Sequence, residues 1–214
     1  MTRVLILFLL EIAAFGQGTL TNGQNHAGEI STSLELDAWT FSANAGESIS
    51  IAIGNGTPSS LWPWLRLQGP GNTELAANFS NQGATSIDIV APATGTYTVL
   101  VGSSNSIGTQ GTATGKYQIT LAKTPGAFTV SDGDQGGTMT NGANHQGAIH
   151  LGDLDMWSFT AAAGDAVSVA IGKRDEPGYS LWPWIRLRGP DGALLAANFS
   201  NQGATAIDVT VNAS

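Results

Sequence analysis

The sequence predicts an all-β protein built as two tandem β-sandwich domains, the second lacking its last two strands. Three observations carry that reading. Apolar and polar residues alternate with period two, and no helical face appears after Gly18. Gly, Asn and Pro interrupt the alternation roughly every 8–12 residues, the spacing of short strands in a sandwich. The whole pattern also occurs twice.

The repeat is closest between Ser60–Thr85 and Ser180–Thr205, which differ at only six positions. These are Leu65/Ile185, Gln68/Arg188, Gly71/Asp191, Asn72/Gly192, Thr73/Ala193 and Glu74/Leu194. Upstream, TLTNGQNHAGEI from Thr19 returns as TMTNGANHQGAI from Thr138, and DAWTFSANAGESISIAIG from Asp37 returns as DMWSFTAAAGDAVSVAIG from Asp155. A period near 120 residues is too long for a solenoid and suits whole domains in tandem.

Taken in order, the chain begins MTRVLILFLLEIAAFGQG. Arg3, the apolar run Val4–Leu10 and the small residues Ala14 and Gly16 predict a signal peptide over residues 1–16, with cleavage near Gln17 or Gly18. The run is too short to span a bilayer, and no second one follows. Module 1 is expected over residues 17–123. Its strands are marked by Trp39/Phe41/Ala43, Ile49/Ile51/Ile53, Leu61/Leu65/Leu67, Ile87/Ile89, Tyr97/Val99/Val101 and Tyr117/Ile119/Leu121, about eight strands in all. Residues 124–137, rich in Gly with Pro125, form a linker whose composition is not that of a rigid spacer. Module 2 is expected over 138–214, where nothing matches GTYTVLVG (Gly95–Gly102) or GKYQITL (Gly115–Leu121). Two absent strands should leave an uncovered sheet edge. The expectation is that this sequence is a fragment of a longer array; the alternative is completion by another chain.

Composition narrows the function. Charged residues make up 11% of the chain, against about 25% in an average globular protein. A net charge of −8 argues against nucleic acid and anionic membranes as partners, since both need a basic footprint. There is no cysteine, hence no thiolate chemistry. No G-x-S-x-G elbow or H-E-x-x-H helix occurs either. A non-catalytic protein is expected, with no cofactor beyond a candidate Ca²⁺.

The order of motifs resembles the bacterial pre-peptidase C-terminal domain. The residues that carry the resemblance are Asp153-Leu154-Asp155-Met156-Trp157-Ser158-Phe159, the P-W-x-R-L-x-G-P turns and Gly95–Gly102. Both copies take part, although Glu35 stands where the family pattern has Asp. The resemblance implies a jelly-roll-like sandwich in an extracellular bacterial protein, and is similar to collagen-binding modules of secreted collagenases, some of which bind calcium. No protease domain accompanies it here.

Two constellations are candidate sites. Glu35/Asp37 and Asp153/Asp155 sit two apart on a strand, so each pair projects to one side, as oxygen ligands of a hard cation would. The bland reading is that they bond turn backbone; Asp132 and Asp134 in the linker are a weaker addition. Trp62, Trp64 and Arg66 share one strand face, as do Trp182, Trp184 and Arg186, opposite the inward leucines. Those rings are expected in the core or between modules. The alternative is a platform for polysaccharide or an extracellular protein, collagen included. The role expected overall is that of a binding or spacer module, or an accessory region of a secreted hydrolase, with neighbouring modules as partners.

Overall fold

A computed structural model describes residues 14–56, 60–105, 109–174 and 181–212. Most of the predicted signal peptide therefore lies outside the described residues, and Ala14–Gly16 open the first strand.

Among the described residues, module 1 is a two-sheet sandwich of nine strands. They are β1 (Ala14–Thr19), β2 (Asn25–Ile30), β3 (Leu36–Ala43), β4 (Ser48–Asn55), β5 (Pro63–Gln68), β6 (Glu74–Phe79), β7 (Ala84–Val90), β8 (Gly95–Ser103) and β9 (Gly115–Thr124). Sheet one has the order β1-β3-β8-β5-β6, and sheet two the order β2-β9-β4-β7. All neighbours are antiparallel except β1 and β3.

The alternation sets the core. Trp39, Phe41, Leu65, Leu67, Tyr97, Val99 and Val101 point inward from sheet one, and Ile49, Ile51, Ile53, Ile87, Tyr117, Ile119 and Leu121 meet them from sheet two. Burying each such aliphatic side chain stabilises the fold by about 1.5–3 kcal/mol. Pro63 keeps the register rather than breaking it. It begins β5 on the inner face, and Trp64 and Arg66 point out.

The second copy supplies β10 (Gly137–Thr138), β11 (Trp157–Ser158), β12 (Ala166–Gly172), β13 (Trp184–Arg188), β14 (Leu194–Phe199) and β15 (Ala204–Thr210). These form three separate two-stranded sheets, β10-β11, β12-β15 and β13-β14. By the repeat they correspond to β1-β3, β4-β7 and β5-β6. The physical reason they stay apart is visible in module 1. There β8 joins β3 to β5 and β9 joins β2 to β4, so each strand without a counterpart is the centre of its sheet. Val167, Val169 and Ile171 are accordingly only half-buried, where Ile49, Ile51 and Ile53 are fully buried.

The linker is tied down, against the expectation from its composition. The Asn22 side chain donates to the Lys123 and Ala127 carbonyls, Thr129 N donates to Asn22 O, and Asn25 N donates to Ser131 Oγ. The second copy then lies on the outer face of sheet two. This buries Ser48, Ser50 and Ala52, which alternation alone would leave in water. At Gly54 the approach is backbone to backbone, since a Cβ there would lie 2.1 Å from the Leu151 carbonyl carbon.

Candidate functional site

The paired carboxylates of module 1 are both occupied within the domain. Glu35 Oε2 accepts from Ser31 N, Ser31 Oγ and Thr32 N at 2.7–2.8 Å. Burial works against its charge, but those bonds hold its pKa below the ordinary value. Asp37 is fully buried; it accepts from Tyr117 Oη at 2.6 Å and from Gln17 Nε2 at 2.8 Å. Trp39 Nε1 donates to the same Tyr117 oxygen at 2.9 Å. The hydroxyl fits because position 28 is glycine; a Cβ there would lie 2.3 Å from it. Burial raises the Asp37 pKa, with Glu35 adding to the rise.

Copy two has neither partner for the equivalent acid. No tyrosine corresponds to Tyr117, and Asp155 Oδ1 is buried without a hydrogen bond. Asp155 instead meets Asp153 and Asp134, their carboxylate oxygens lying within 4.8 Å of one another. Burial, then the charges of Asp153 and Asp134, push its pKa up to about 7. Asn25 Nδ2 donates to both Asp134 and Asp153, linking this cluster to module 1. Three hard oxygen donors suit a cation such as Ca²⁺, which takes about six to eight oxygens. Sequence spacing found Asp153 and Asp155; Asp134 joins them only through the pinned linker.

The two Trp/Arg faces both point away from the sandwich interior. On module 1, the Arg66 guanidinium lies 5.4 Å from the Trp64 ring centroid and pairs with Glu74 across β5-β6. Trp62, 37% exposed, borders a shallow groove of about 330 Å³ with Asn55, Ser60, Asn81, Gln82 and Gly83. In the second copy Arg186 sits 3.6 Å from the Trp184 centroid. With Leu194 in place of Glu74, Arg186 reaches module 1. Its Nη2 donates to Asp88 Oδ2 at 2.8 Å and its Nη1 to Ser50 Oγ at 3.0 Å. Burial opposes the Asp88 charge, but Arg186 and Ser50 hold its pKa below normal. Arg188, where copy one has Gln68, donates to Ser48 Oγ at 2.7 Å. Gly192, where copy one has Asn72, fits against the chain at Thr124–Pro125; a Cβ there would lie 2.5 Å from Thr124 O. Three of the six differences between the copies therefore fall at this contact. That clustering was a signal available in the sequence.

Two of the three histidines hold turns. His26 Nε2 accepts from Thr21 N and His145 Nε2 from Thr140 N, both at 3.0 Å, and each ring lies against Trp39 or Trp157.

Two packed sheets, antiparallel throughout except for β1 and β3, define module 1 as a β-sandwich module. Its residues 35–103 match the family model described as the bacterial pre-peptidase C-terminal domain. The match runs from the end of the Glu35 turn to the end of β8. Among solved structures, the chain is similar to the pre-peptidase C-terminal domain of a collagenase from Bacillus anthracis, at 17% identity and TM-score 0.38, covering 51% of this chain and 94% of that one. It is also similar to PliG, a periplasmic inhibitor of g-type lysozyme. For the Aeromonas hydrophila protein the identity is 17% and the TM-score 0.35, covering 51% of this chain and 99% of that one. For the Salmonella Typhimurium protein they are 17% and 0.37, with the same coverage. Among curated proteins none matches. Among the described residues no helix is long and apolar enough to cross a membrane.

Proposed function

We propose that the chain is a non-catalytic part of a secreted bacterial protein, and that it acts as a spacer in which consecutive modules dock on one another. The observation that carries this reading is the Arg186–Asp88 contact, made where the two copies differ in sequence. A partly exposed ion pair stabilises by only about 1 kcal/mol. The close approaches at Gly54 and Gly192 add shape to it. Small-angle scattering tests the reading. A docked pair behaves as one body, with a radius of gyration of about 17 Å for about 200 residues. Scattering that requires two separated bodies overturns it.

A ligand surface on module 1 is a second reading, favoured by the exposed Trp62 ring beside the amides of Asn55, Asn81 and Gln82. An apolar ring flanked by amide donors and acceptors is chemistry that suits a sugar face and its hydroxyls. Trp62→Ala should abolish retention on insoluble cellulose, chitin or peptidoglycan without unfolding the chain. If the unaltered chain is retained on none of these and on no collagen peptide, this reading fails.

The acidic cluster supports a cation reading. Asp134, Asp153 and Asp155 would hold Ca²⁺, and the orphaned Asp155 oxygen is the atom that gains most from it.

A further inference from the structure

The surface that Arg186 occupies exists twice. Ser50 and Asp88 are cross-strand neighbours on β4 and β7, joined by a 2.6 Å hydrogen bond from Ser50 Oγ. Ser168 and Asp208 are cross-strand neighbours on β12 and β15. Beside these lie Ser48, Ala52 and Ser86 in one copy and Ala166, Ala170 and Ala206 in the other, with Val90 and Thr210 at the strand ends. The difference is cover. Ser48, Ser50 and Ala52 are buried by the second copy, whereas Ala166, Ser168, Ala170 and Asp208 are exposed.

The complementary face also exists twice. Arg186 on β13 docks on module 1 with the Trp184 ring beside it, while Trp64 and Arg66 on β5 lie half-buried on the outer face of sheet one. The second copy thus presents an acceptor carboxylate, and module 1 an arginine beside a tryptophan. Glu74 separates the two cases, since it holds Arg66 in place and Leu194 cannot hold Arg186.

We propose that the outer face of β12-β15, centred on Ser168 and Asp208, is a second docking surface, and that its occupant is the Trp64–Arg66 face of a second copy of this chain. Glu74 competes with Asp208 for the arginine and keeps that association weak. The contact joins unlike faces, so it adds chains in a row, or in a ring where the rotation closes. Ala166 replaces Ser48, so the bond that Arg188 makes in the docked pair is not repeated there. The proposal rests on the docked reading of the Arg186–Asp88 contact.

Sedimentation of the full chain tests it. Glu74→Leu, which copies the residue already present at 194, should tighten self-association at least about tenfold, equivalent to about 1.4 kcal/mol. Raised salt should weaken it. The double variant Glu74→Leu/Asp208→Asn should return to the sedimentation of the unaltered chain. The proposal is overturned if Glu74→Leu leaves sedimentation unchanged. It is overturned equally if the association survives Asp208→Asn, which would assign it to the uncovered apolar edges of the second copy. Scattering from the double variant separates the two readings. A compact particle with no Glu74→Leu effect sinks only this proposal, and an extended particle sinks the docked reading beneath it.

Discussion

Tyr117 donates its hydroxyl to Asp37 at 2.6 Å across the two sheets of module 1, and Asp155, the equivalent acid, has no tyrosine to receive. The strand that carries Tyr117 therefore sets the chemistry of a carboxylate as well as the closure of a sheet. Tyr117→Phe should cost module 1 about 1–3 kcal/mol, because it leaves a buried acceptor on Asp37 and a donor on Trp39 unpaired. Chemical denaturation of the variant measures this. Adding Asp37→Asn should recover part of the loss, since a neutral amide is cheaper to bury than an unpaired carboxylate.

The orphaned acid predicts a pH dependence. Asp155 has an ordinary value of 3.8 and a folded value of about 7. Between those values the folded state holds a proton that the unfolded state has released. Stability is therefore fully present below the lower value and falls as pH rises through the upper one. Melting temperature should decline from about pH 4 to about pH 7, and Asp155→Asn should flatten that decline. Glu35, Glu47 and Asp88 have lowered values, so their contributions are lost only in more acid solution. Millimolar Ca²⁺ at neutral pH should raise the melting temperature of the unaltered chain and not of Asp155→Asn. No shift in either would end the cation reading.

Adjacent residues on β5 should respond very differently. Leu65→Ala removes a fully buried side chain and should cost about 2–5 kcal/mol. Trp64→Ala removes an outward ring and should cost nearer about 1 kcal/mol, despite the larger side chain. Equal losses in urea unfolding would place the Trp64 ring in the core after all.

What the sequence made legible follows from what is local. Leu61, Leu65 and Leu67 read as inward from alternation alone, because a strand's pleat decides it. The Trp64 ring, expected in the core or between modules, lies on the opposite, outer face of β5. The lack of counterparts to β8 and β9 was equally plain from the repeat. Their place at the centre of each sheet was not, because strand order depends on pairings across distant parts of the chain. Ser50 and Ala52 alternate with the inward isoleucines of β4 and are nevertheless buried, because what covers them comes from the other copy. Asp134 read as the weaker acid and joins the cluster, because Asn22 and Asn25 fix a linker whose composition looks loose.

Restoring the sheet centres provides a direct check. A chain extended after Ser214 by a copy of Pro92–Lys123 should merge the three small sheets of the second copy into two. Val167, Val169 and Ile171 should then become protected, and a second cooperative unfolding transition should appear. Unchanged hydrogen exchange along Ala166–Gly172 would mean that the second copy does not use the strand order of module 1.

The central position of β8 and β9 also orders events on the ribosome. Within module 1 they are the last strands to be synthesised, yet β3 and β5, or β2 and β4, have no common neighbour without them. At about 5–20 residues per second, the nascent chain carries its earlier strands at most as separate pairs, such as β4-β7 and β5-β6, with no joined sheet for several seconds. The first module is thus committed to folding late and all at once, and it depends on whatever shields a growing chain during that wait.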